Sequence, residues 1–203
     1  MQTLGLSGEA KRSDGLLKSL FWPTVENAWD VDYIERQGFW ICVIIGVIKA
    51  IASLFLGNPV IMISGLAEAL IFLLAAMGVR EGNWPASAMI FSIYVLDLGF
   101  GAVRGVPPGF LPVVVAAILL SNVRAAFLAS RWKPVAEEED RPMRFNETLR
   151  DKFVDILPPR AWPILKIPFF VLASLLLFLS ILGAASMTAR RPGAAPQQEI
   201  TQP

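Results

Sequence analysis

Three ionisable residues, Lys49, Glu68 and Asp97, stand inside stretches that are otherwise apolar. One ammonium and two carboxylates at a common level in a low-dielectric interior have few uses. They pair, they hold or pass a proton or cation, or they form the polar floor of a solute pathway. Asn122, Ser121 and Arg124 add polar groups in a fourth apolar stretch, with Arg124 displaced from that level by roughly 9 Å along a helix. Other chemistry is largely closed off. There is no histidine among the 203 residues, which removes Ser-His and Cys-His nucleophiles, HExxH zinc sites, imidazole haem ligation and histidine pH switches. Cys42 is the single cysteine and reads as an inert buried thiol. No catalytic residue, metal site or cofactor is expected. The balance of 18 basic against 17 acidic residues carries no nucleic-acid footprint.

The elements that must position these groups are five long apolar blocks, at 39–56, 60–79, 86–103, 110–130 and 162–184. Of the 35 charged side chains only five lie within them: Lys49, Glu68, Asp97, Arg124 and Lys166. A bilayer core of ~30 Å takes about 20 helical residues, which is the length of these blocks. The expected fold is therefore all-α, a polytopic integral membrane bundle of five transmembrane helices with peripheral amphipathic helices. It occupies residues 38–185, after an interfacial N-terminal segment at 1–37 and before a disordered tail at 186–203. Gly57-Asn58-Pro59 reads as a tight hairpin between the first two spans. A short helix is expected from Thr24 to Glu35, ahead of the first span.

Lys49 and Glu68 are nine and ten residues from the hairpin tip at Asn58, so both lie roughly 13–15 Å from it. Asp97 is about 18 Å into its own span, again near mid-bilayer. A charge at that depth costs about 2.5–3.5 kcal/mol, against about 0.3–0.6 returned by a central Leu or Ile. Lys49 is expected to face Glu68. Asp97 then has no equal partner, and is expected to carry a proton, bind a cation or reach toward Arg124.

Basic residues outside the blocks set the orientation. Twelve of them fall in the N-terminal segment, at Arg80 and in loop 131–161, whereas only Arg104, Arg190 and Arg191 fall on the opposite side. The positive-inside rule then places the N-terminus and the long loop in the cytoplasm and the C-terminus outside the cell membrane. Trp40, Trp84, Trp132 and Trp162 all fall at the cytoplasmic ends of blocks, as interface anchors. Gly46 with Ala50, and Gly101 with Gly105, form small-residue packing pairs. Within loop 131–161 an amphipathic helix is expected, ended by Pro158-Pro159. The seven acidic and seven basic residues of the whole loop argue against strong recognition of anionic lipid.

The expected company is the lipid bilayer, together with a second copy or another membrane subunit. The leading functional expectation is a structural, assembly or accessory membrane subunit. The alternative is a small solute or ion/proton-coupled transporter using Lys49, Glu68 and Asp97, and a membrane-embedded enzyme ranks third. Reporter fusions at residues 58, 106 and 203 are expected to read as non-cytoplasmic. Cytoplasmic signals at those sites would reverse the orientation.

Overall fold

The computed structural model describes Gly15, Lys18 and residues 21–26, 28–55, 57–132 and 149–189. The acidic run 137–140, the start of the expected amphipathic helix and the tail beyond 189 lie outside the described residues. So do residues 1–14. Five helices carry the described chain: α1 (Ala28–Leu54), α2 (Pro59–Arg80), α3 (Trp84–Val103), α4 (Phe110–Ser130) and α5 (Leu149–Ala189). Each is long and apolar enough to cross a membrane.

Local chemistry explains the turns. At the α1–α2 turn Gly57 takes φ 60°. Asn58 then caps α2 by accepting from the Val60 amide at 2.9 Å, and Pro59 opens the helix. The α2–α3 turn needs only Glu81, Gly82 and Asn83. Gly82 adopts φ 62°, the Asn83 amide donates back to Gly78 O at 3.0 Å, and the Asn83 side chain caps α3 through the Ala86 amide. That six-to-one return bond with a left-handed glycine satisfies the last carbonyls of α2. The same motif ends α3, where Gly105 has φ 85° and the Val106 amide donates to Gly101 O at 2.9 Å. Gly101 and Gly105 thus form a helix stop, since Gly105 lies beyond the end of α3.

Two boundaries differ from the sequence reading. The short helix expected before the first span is instead the opening of α1, which runs unbroken through Glu35 and Gly38. Likewise Pro158-Pro159 do not end a helix. α5 continues through Pro158, Pro159, Pro163 and Pro168 for 41 residues, a length of about 60 Å. Proline's φ is compatible with a helix, and its cost is a lost hydrogen bond and crowding. Here tertiary contacts hold α5 on both sides of the proline pair: Asp155 is paired to Arg80 and Trp162 is buried against α2 and α3.

The bundle is packed most closely at one end, although Ser53 near the turn end of α1 and Phe169 and Ala173 of α5 are buried as well. α1 contacts α2 and α4, α3 contacts α4 and α2, and α5 lies against α2 and α3. Buried residues of α2 run from Ala69 to Arg80, those of α3 from Ala86 to Ile93, and those of α4 from Ile118 to Ala126. All belong to the half that ends at Arg80 and Trp84, called here the Arg80 end. Toward the turn end at Gly57 and Gly105 the large apolar side chains are exposed, among them Phe55, Val60, Val103 and Phe110.

Trp162 closes the packed half. A Cβ added at Gly78 would sit 2.5 Å from the Trp162 ring and 2.8 Å from Ala86 Cβ. Gly78→Leu is therefore expected to lift α5 off α2, at a cost of about 1–3 kcal/mol. A lowered melting temperature of the solubilised protein checks this; an unchanged one would show that Trp162 is not seated there.

Candidate functional site

Small residues bring α1 and α2 together on either side of Lys49. Gly46, one turn before it, lets the backbone approach Leu73 and the Ala69 carbonyl, and a Cβ there would stand 2.9 Å from Leu73 Cγ. Ser53, one turn after it, occupies the space that Gly65 leaves by lacking a side chain, and donates to Lys49 O at 2.6 Å. Ala50, the other small residue noted in the sequence, is half-buried on the same helix. This close pairing brings the Lys49 ammonium to Glu68 of α2 at 2.5 Å and to Asp97 of α3 at 2.6 Å. The same Nζ lies 5.5 Å from the centre of the Phe72 ring, a cation–π contact.

The three groups do meet, but not as the spacing alone suggested. Asp97 shares Lys49 with Glu68, so a single ammonium bridges three helices. Arg124 takes no part. It donates to Pro23 O at 2.9 Å, and its guanidinium lies 4.7 Å over the Trp22 ring, so it ties α4 to the chain that precedes α1. Asn122 also belongs elsewhere. Its amide donates to Ile34 O at 3.0 Å, where α1 approaches α4 at Gly38. Ser121 is buried next to it.

The triad sits at the border of the packed half. Glu68 immediately precedes the first buried residue of α2, and Asp97 follows the last buried residue of α3 by one turn. Its side chains accordingly remain 25% (Lys49), 24% (Glu68) and 30% (Asp97) exposed. Two carboxylates face one ammonium, so the fully ionised cluster carries one excess negative charge.

A second ionic cluster lies at the Arg80 end, and sequence reading missed it. Arg80 looked like a loop cation. It is instead the last residue of α2 and only 1% exposed. Its guanidinium donates to Asp155 Oδ1 of α5 at 2.5 and 3.2 Å. On α1 it meets the Asp32 carboxylate at 2.8 Å, the Asp32 carbonyl at 3.2 Å and Glu35 at 4.0 Å. Glu35 in turn lies over Gly82, where a Cβ would come within 2.6 Å of its Oε1. Guanidinium is the cation suited to this, because its fixed fork of five donors serves several acceptors at once. The available signal was the i, i+3 spacing of Asp32 and Glu35, which places both on one helical face. Nothing local pointed to Asp155.

The tryptophans divide. Trp84 and Trp132 are exposed at the Arg80 end and Trp40 is half-buried, whereas Trp162 is a core residue stacked near Phe169 and Phe170. Cys42 is fully buried. Among the described residues no group of Cys, Asp and Glu is arranged to hold a metal ion.

Known protein families, characterised proteins and solved structures contain no match to this chain.

Removing a buried cation leaves its partners uncompensated, at about 3–5 kcal/mol for a pair that is fully buried. In the detergent-solubilised chain, Arg80→Gln is expected to lower the melting temperature far more than Lys49→Gln, because the Lys49 partners are open to solvent once lipid and any partner are stripped away, and those of Arg80 are not. Paired thermal melts check this ranking, and equal losses would contradict the burial difference.

Proposed function

We propose that this chain is a multi-pass membrane protein that acts without catalysis, as a structural or accessory subunit of a larger assembly in the cytoplasmic membrane. The observation that carries this reading is the partial exposure of the Lys49–Glu68–Asp97 triad in the isolated chain. Near mid-bilayer, a quarter-exposed ammonium and two carboxylates facing hydrocarbon would be costly. A second subunit, or another copy of this chain, relieves that cost by covering the open half. Small exposed residues beside the triad, Ser64 and Ala67, permit close approach of another helix there.

Water covering the same opening is the second reading, and the charge imbalance favours it. One excess negative charge is balanced by a proton or a cation, as a proton-coupled or ion pathway requires. In that reading Asp97→Asn keeps the Lys49–Glu68 pair and abolishes charge movement.

Ala67→Cys in a Cys42→Ser background separates the two. Under the subunit reading the protein extracts in native lipid with a second polypeptide, or with a second copy of itself, in fixed ratio. Its new thiol then resists a membrane-impermeant maleimide until detergent strips that partner. A lone chain whose thiol reacts freely in intact membranes would overturn the subunit reading, and proteoliposome flux lost in Asp97→Asn would establish the transport one.

A further inference from the structure

The head of α5 turns one acidic and two basic side chains in opposite directions. Val154, Asp155, Pro158 and Trp162 form its inward face, all buried. Asp155 is spent on Arg80. Lys152 and Arg160 lie on the exposed outer face, at i and i+8, with Ile156 between them in the same register. Among the described side chains of this helix head, the carboxylate of Asp155 is thus turned inward while the cations of Lys152 and Arg160 stand outward.

That face is also a groove. Lys152, Phe153, Ile156, Leu157 and Arg160 line a shallow depression of about 480 Å³. Phe153 forms one wall and leans toward α1, with its ring 6.4 Å from Trp40. The two cations are set about 12 Å apart along the helix, with apolar surface between them. An aromatic wall, an apolar floor and a cation at each end match the boundary between a lipid headgroup and its chains. Height agrees with this. The groove lies at the level of Arg80 and Trp84, where the apolar run of α2 ends and that of α3 begins.

We propose that this groove at the head of α5 is a binding site for an anionic phospholipid, whose phosphate is held between Lys152 and Arg160 against the apolar surface of Phe153, Ile156 and Leu157 and whose chains run on past Arg160 along the membrane-spanning part of α5. The site rests on the membrane reading above and is independent of whether the triad is covered by protein or by water. It fits a lipid better than a soluble anion, since more than half of its lining residues are apolar.

The test uses the full chain in mild detergent, titrated with phosphatidylglycerol or phosphatidylcholine and read by native mass spectrometry. Two cations near an anionic headgroup should give a preference for phosphatidylglycerol of roughly 30-fold at low salt, weakening as salt rises. Lys152→Gln with Arg160→Gln should erase that preference without changing the melting temperature, because both side chains are exposed. Lys166→Gln, outside the groove, should leave it intact. Equal retention of the two lipids by the native chain, or an undiminished preference in the double variant, would overturn the site. Release of the protein from membranes by alkaline carbonate would overturn the membrane reading and the site together. Retention in the membrane without lipid preference would overturn the site alone.

Discussion

A guanidinium can be withdrawn from water only where its donors and its charge are both met. Arg80, on α2, satisfies that condition with groups from α1 and α5, and much of the architecture follows from the requirement. The carboxylates of Asp32 and Glu35 fix the rotation of α1 on α2, because they share one face of α1. Asp155 fixes where along its length α5 meets the pair. With those contacts set, Gly78 lies under Trp162 and Gly82 under Glu35, and neither position has room for a side chain. The packed half of the bundle is the volume over which this one pairing is obeyed.

The two ionic clusters differ in a way that separates structure from activity. Arg80 faces an excess of carboxylates, yet its guanidinium is almost wholly enclosed and several acceptors converge on it. Lys49 has two partners at nearly equal distance and an environment that is only partly closed. A fixed, enclosed cation specifies geometry. One that divides itself between two acceptors at an opening has alternatives that differ little in energy, and small changes in protonation or covering redistribute it. Arg80 provides the frame, and of the two cations Lys49 is the one whose surroundings leave it room to change partners.

Helical content, the approximate helix positions and the common depth of Lys49, Glu68 and Asp97 were legible in the sequence, since each rests on a local property such as block length or a fixed rise per residue. What was not legible depended on partners distant in the chain. Arg80 sits next to Glu81-Gly82 and reads locally as a loop residue; Asp32, 48 positions before it, and Asp155, 75 positions after it, make it a core residue. The same cause hid the continuity of α5, because a Pro-Pro pair is a helix terminator by local rules and is overridden by docking on both sides. Trp162 looked like its three counterparts at block ends, and the glycine opposite it, Gly78, decides its burial. Arg124 was too far along its helix for the triad, and the arithmetic of rise alone already hinted at this.

The Arg80 cage also has an order in time. During synthesis Asp32 and Glu35 precede Arg80, so two of its acceptors are present when α2 emerges. Asp155 follows 75 residues later, which at ordinary elongation rates is roughly 4–15 seconds. During that interval α3 and α4 are made, and Arg80 has only its α1 acceptors among the residues already synthesised. α5 is thus the last of these five helices to be made, and the Arg80 cage can close only after it.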